Sequence, residues 1–209
     1  MLFNSKVFLF YFLPVVFFLY AALEIGKYKR LAMTWFIAAS LFFYAYWSWQ
    51  LIFLIIFSIL LNYGLSLMMP SLDRGKVSHA KILVGLGIFI NLGLLAFFKY
   101  AGFALRVADD VADLSLPMIS IILPLAISFM TFQQIAFLVD RARNPRDDLR
   151  FIDYVFFVTY FPHLIAGPIC YLRDIIPQLN RPRSAPNLVR DAEVGLAIIA
   201  IGLFKKIVL

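Results

Sequence analysis

The sequence is poor in charge, holds a single cysteine and shows none of the common soluble-enzyme motifs. Charged residues make up 15% of its 209 positions, whereas 63% are hydrophobic and 17% aromatic. Soluble domains carry about 25% charged and roughly 45–50% apolar residues. A soluble fold has too little interior to hide this much apolar surface, so lipid is the expected solvent. The lone Cys170 excludes an intrachain disulfide and a cysteine-based metal site. No Gly-x-Ser-x-Gly, His-Glu-x-x-His or phosphate-loop pattern occurs, which leaves serine hydrolase, zinc protease and nucleotide triphosphatase without support. No metal and no bound cofactor is expected. A basic stripe interleaved with aromatics is also missing. The net charge of +7 comes from short clusters between apolar runs, which points to membrane lipids rather than nucleic acid as the partner. No inverted internal repeat is visible, which weakens a transporter reading.

What is present is a series of apolar runs: Val7–Leu23, Leu31–Trp49, Leu51–Met69, Ile82–Phe98, Met118–Val139, Phe151–Tyr171 and Ala192–Leu209. As helices of 17 to 22 residues, these runs are roughly 25–33 Å long, enough to span the hydrocarbon core. The fold class expected is therefore an all-α polytopic membrane protein with one transmembrane domain over residues 1–209. No cleavage pattern follows the first run, so it is read as a retained span, with Pro14 tolerated because neighbouring helices can satisfy the freed carbonyl. The glycines Gly85, Gly87 and Gly93 lie within an apolar run and read as helix-packing surface.

Loop charges orient the spans. Lys27, Lys29 and Arg30 mark a cytoplasmic loop, the uncharged turn around Ser48–Gln50 an outer one, and Arg74, Lys76 and Lys81 an inner one. The stretch Lys99–Pro117, with Asp109, Asp110 and Asp113, reads as an outer loop, and Asp140–Arg150, with four arginines, as an inner one. The alternation then fails, because Arg173, Arg181, Arg183 and Arg190 also favour the inside. Two inner flanks cannot bracket one complete crossing. The run between them contains Phe161-Pro-His163 and Gly167-Pro168, two helix interruptions five residues apart. A re-entrant hairpin over 151–171 resolves the conflict, facing the bundle interior where irregular backbone is tolerated. Residues 172–191, with Pro177, Pro182 and Pro186 among polar side chains, read as a cytoplasmic surface helix or loop.

Polar residues in these runs are the candidate site. Gln133 and Gln134, with Ser128 and Thr131, either bond neighbouring helices or line a substrate path. His163 lies between the two interruptions and either braces the hairpin or acts as a base. No second acid, base or nucleophile accompanies it. His79, in a basic loop, reads as solvated surface. Pro162, Gly167 and Pro168 shape the hairpin wall. Arg141, Arg143 and Arg173 are explained by the positive-inside pattern, and would also suit the phosphates of a cytosolic acyl donor.

Several blocks occur in order: Met1-Leu-Phe-Asn-Ser5 with Phe8-Leu-Phe-Tyr-Phe-Leu-Pro14, Leu123-Pro-Leu-Ala-Ile-Ser-Phe-Met-Thr-Phe-Gln-Gln134, Phe161-Pro-His-Leu-Ile-Ala-Gly-Pro-Ile169 and Gly202-Leu-Phe-Lys-Lys-Ile207. Together they resemble the membrane-bound O-acyltransferase (MBOAT) family, in particular its alginate O-acetyltransferase branch, over essentially the whole chain. The resemblance implies an MBOAT-like helical bundle, here its N-terminal part, in a bacterial inner membrane. It implies acetyl transfer from an acyl-CoA donor, acetyl-CoA above all, towards an exported polysaccharide such as alginate, with periplasmic partner proteins. It also implies a catalytic histidine beyond Leu209, so the chain reads as an inactive fragment with no catalytic residue of its own. The rival expectations are D-alanyl or other acyl transfer to a cell-envelope polymer and, from other classes, a transporter or flippase or a membrane scaffold.

Overall fold

A computed structural model describes residues 3–46, 49–69, 77–112, 123–124, 126–144, 149–164, 167, 170–180 and 184–208. Pro168, Arg74, Lys76, Arg146, Arg181 and Arg183, each singled out by the sequence, lie outside the described residues. Among those described, all regular structure is helical and no strand occurs. Two helical stretches, Phe8–Ile25 and His79–Val107, are long and apolar enough to cross a membrane, and Ile52–Met68 is a shorter apolar helix.

The first helix opens with one wide π-turn, Phe8–Phe12, and continues as α1, Leu13–Ile25. Pro14 has no amide hydrogen, so an α-turn across it would leave a carbonyl unpaired. Just ahead of it the turn is widened, with Leu13 N–H reaching back five residues to the Phe8 carbonyl. Helix α2, Lys29–Ala45, packs back along α1, and the Trp35 indole N–H donates to the Val16 carbonyl at 3.2 Å.

Helix α3, Ile52–Met68, and helix α4, Val77–Ala112, are joined by a reciprocal amide pair. Asn91 Nδ2 donates to Asn62 Oδ1 at 2.7 Å, and Asn62 Nδ2 to Asn91 Oδ1 at 3.3 Å. Both side chains also donate to their own helices, to the Ser58 and Gly87 carbonyls, so each buried amide has its hydrogens engaged. A Cβ built on Gly87 would lie 2.3 Å from Leu138 Cδ1, which fits the helix-packing role expected of it. Gly85 and Gly93 differ: nothing lies within 4 Å of a Cβ at either, so among the described residues they pack no neighbour closely.

Helix α4 also corrects the loop expected over Lys99–Pro117, since it continues unbroken to Ala112. Charge ends a stretch that lipid will accept, but it does not end a helix. No proline interrupts Lys99–Ala112, and its alanines and leucine are strong helix formers. At 36 residues, α4 is about 54 Å long.

Helix α5, Ile127–Arg143, starts later and ends later than the run Met118–Val139. Pro124 and Ala126, the latter at φ 61° in the left-handed region, hold the chain out of helix until Ile127. Arg141 and Arg143 occupy the last turn, where cations offset the negative end of the helix dipole.

Helix α6, Phe151–Thr159, runs antiparallel to α5. Phe137 meets Tyr154 and Gln133 meets Phe157, and beyond the end of α6 Phe129 meets His163. The helix breaks at Tyr160, just ahead of the Phe161-Pro162 step, and resumes for one turn as α7, Phe161–Leu164. Proline sits second in that turn, where its missing hydrogen leaves no intrahelical bond unmade. At nine residues, α6 is about 14 Å long, roughly half of a hydrocarbon core.

Helix α8, Leu172–Asn180, brings the chain back. Leu172 enters the apolar cluster that holds Met69, Phe137 and Tyr154, and Arg173 pairs with Asp140 at 3.3 Å. At the outgoing end, Tyr63 O–H donates to the Leu149 carbonyl at 3.3 Å and stacks edge-on with Phe151. The chain therefore leaves one end of the bundle near Arg150 and is at the same end again by Leu172. Helix α9, Ala185–Val208, begins earlier than the run from Ala192, because Pro186 fits a first helical turn. Residues 172–191 thus comprise α8 and the opening turns of α9.

Candidate functional site

The site is built where the broken segment meets α5. Phe161 is the anchor of the break: its ring packs among Phe8, Phe12, Phe36 and Phe43 at centroid distances of 5.2–6.1 Å. Its backbone N–H, left without a helical partner by the break, donates to the buried Ser40 hydroxyl at 3.3 Å. Pro162 follows, exposed on the opposite side, and lines a cavity against α9.

His163 points inward. It is 8% exposed and packs against the rings of Tyr160, Phe129 and Phe157. Among the described residues, neither imidazole nitrogen has a hydrogen-bond partner. A Cβ on Gly167 would lie 3.0 Å from His163 Cβ, so glycine is what lets the chain pass this close to the histidine. The contacts that His163 makes are thus ring contacts with Phe129, Phe157 and Tyr160. His79 is exposed near the start of α4, far along the chain from these groups.

One turn along α5, the two glutamines are 1% exposed and reach α6. Gln133 Nε2 donates to the Phe157 carbonyl at 3.2 Å, and the Tyr154 hydroxyl donates to Gln134 Oε1 at 2.5 Å. Each amide spends one end on this interhelical bond. Among the described residues, the other end stays buried without a partner: Gln133 Oε1, an acceptor, and Gln134 Nε2, a donor. A buried polar atom left this way costs about 1–3 kcal/mol. With the two imidazole nitrogens, these atoms make a buried polar strip where α5 meets the broken segment. No nucleophile or acid–base pair lies among them.

The arginines collect at the other end of α5. Arg173 is held between Asp140 and the Tyr171 ring, over which its guanidinium lies at 4.8 Å. Arg150 makes a two-pronged bridge to Asp153 at 2.8 and 3.0 Å. Arg143 is exposed and Arg141 half-buried. Arg141, Arg143 and Arg173 thus share one end of the bundle, and Arg173 has a carboxylate partner there.

Four polar residues escape a reading by motif: Ser40, Asn62, Asn91 and Tyr154. The signal for the asparagines was present, since each is a lone amide within an apolar run. Ser40 and Tyr154 carry no such mark, because serine back-bonds within helices and tyrosine is common in membrane helices.

The chain is 35% identical to the peptidoglycan O-acetyltransferase of Helicobacter pylori over 100% of its own length and 44% of that relative. It is 36% identical to the probable alginate O-acetylase AlgI of Pseudomonas putida, over 86% of the chain and 37% of the relative. The teichoic acid D-alanyltransferase of Lacticaseibacillus rhamnosus is 24% identical over 66% of the chain and 38% of its own length. The chain thus spans less than half the length of these relatives. No family model matches it, and no solved structure does.

Proposed function

Because the chain belongs to the membrane-bound O-acyltransferase family of these O-acetylases, we propose that it forms the N-terminal part of an enzyme that acetylates a cell-envelope polysaccharide. The observation that supports this reading is that the described ends of the broken segment lie together, Leu172 sharing an apolar cluster with Tyr154, while His163 packs against Phe129 of α5. In this reading the chain crosses the inner membrane several times, and the segment is a re-entrant hairpin with both arginine-bearing flanks in the cytoplasm.

The acyl donor is an acetyl thioester of coenzyme A, drawn by its phosphates to the end of the bundle where Arg141, Arg143 and Arg173 lie. The thioester lies along the polar strip, where Gln133 and Gln134 orient it. In the transfer, an accepting hydroxyl attacks the acetyl carbonyl, the C–O bond forms as the C–S bond breaks, and the hydroxyl proton passes through a base to the leaving thiolate. The resemblance assigns that base to a histidine C-terminal to this chain; His163 is a positioning residue. Periplasmic partners carry the acetyl group onward.

The polymer is an exported polysaccharide of the alginate or peptidoglycan type, since the relatives matched over most of the chain are named for these. D-alanyl transfer is the second reading, and rests on the teichoic acid relative. Full-length protein in vesicles, given acetyl-labelled coenzyme A and either polymer, should form labelled ester. Movement of substrate without ester would replace this reading with a transporter.

A further inference from the structure

A cavity of about 400 Å³ opens on the far side of the break from the polar strip. Its walls are Phe8 and Leu13 from the first helix, Phe161 and Pro162 at the break, and Leu203 and Lys206 from α9. This volume lies within the roughly 300–1,000 Å³ of small-molecule sites. A Cβ built on Gly202, which also lines it, meets nothing within 4 Å, so the space beside α9 is open and no close helix contact fills it.

The cavity's lining is apolar apart from Asn4 and Lys206, with Lys205 and Lys6 beside them in sequence, and no carboxylate is among its described lining residues. Ile199, which also lines it, lies about 10 Å from Lys206 along the helix axis. The cation lies near the start of the first helix and the end of α9, where a membrane helix meets the headgroups, and the apolar walls face the hydrocarbon. A neutral apolar ligand would leave Lys206 unused, and a soluble anion would leave the apolar walls unused.

We propose that this cleft binds an anionic phospholipid, with one acyl chain laid between the first helix and α9 against Pro162, and its phosphate on Lys206. The proposal rests on the bilayer placement given above. The lipid chain supports the break from the side opposite His163, so the hairpin is held between lipid and α5.

The test is thermal unfolding of the full-length protein in detergent, with phosphatidylglycerol or phosphatidylcholine added. Phosphatidylglycerol should raise the midpoint by about 5 °C and phosphatidylcholine by much less, since a ligand of the folded state stabilises it by mass action. Gly202→Phe, which fills the open space, should abolish the shift while leaving the lipid-free midpoint unchanged or raised. Lys206→Gln should remove the difference between the two lipids. Equal shifts from both lipids, a shift that survives Gly202→Phe, or a lipid-free midpoint lowered by Gly202→Phe because protein already fills the cleft, would each overturn the proposal. Alkaline carbonate extraction separates the two readings: release of the protein defeats the bilayer placement, whereas retention without a phosphatidylglycerol effect defeats only the lipid site.

Discussion

The Phe161 amide donates to the Ser40 hydroxyl at 3.3 Å, across the interface between the broken segment and α2. Ser40 in turn donates to the Phe36 carbonyl at 2.8 Å, so one hydroxyl closes a helical turn and satisfies the amide that the break exposes. Ser40→Ala should destabilise the protein by about 1–3 kcal/mol, the penalty for a buried amide without an acceptor. Denaturant unfolding in detergent checks this; an unchanged midpoint would mean the amide has found another partner.

Tyr154 and Gln134 offer a cleaner measurement, because both groups are buried and each is the other's interhelical partner. Tyr154→Phe alone leaves the whole Gln134 amide unpartnered and should cost about 1–3 kcal/mol. Adding Gln134→Leu should recover much of the loss, giving a coupling energy of about 1 kcal/mol or more in a double-mutant cycle. Strict additivity would show that the bond contributes nothing.

Glycine substitutions should sort by geometry. Gly167→Ala places a methyl against His163 and should lower both stability and acetyl transfer. Gly85→Ala meets open space within a helix and should stabilise by up to about 1 kcal/mol. Thermal midpoints moving in opposite directions would confirm the contrast.

These contrasts also show which parts of the molecule the sequence discloses. The break before Pro162 was legible because proline acts through local sterics. The end of α4 was not, since Lys99 changes the preference for lipid without changing the preference for helix. Gly85, Gly87 and Gly93 look alike in sequence, yet only Gly87 faces Leu138; which face of α4 meets α5 is settled by tertiary packing. Gln133 and Gln134 were visible as polar residues, but their partners on α6 were not, because an antiparallel register appears only once the hairpin is docked.

His163→Ala in the full-length protein should reduce acetyl transfer less than about tenfold, as expected for a residue that positions through ring packing. A general base typically contributes 10²–10⁴-fold. Loss on that larger scale, with normal membrane insertion, would move His163 into the chemistry.

Cysteine labelling should find both ends of the hairpin on one face. In a Cys170→Ala background, Arg143→Cys and Gln178→Cys should react with an impermeant maleimide only when the cytoplasmic face is open. Labelling from opposite faces would eliminate the re-entrant path.

The contacts of α5 with the broken segment carry a mechanical consequence. A ring contact, an amide bond and an imidazole contact follow one another a turn apart along α5, so a slide of a single turn would misalign all three together. The hairpin therefore seats like a key with several teeth: it is either fully engaged or fully withdrawn, and hydrogen exchange along residues 151–164 should report one shared opening event, not a gradual fraying from its tip.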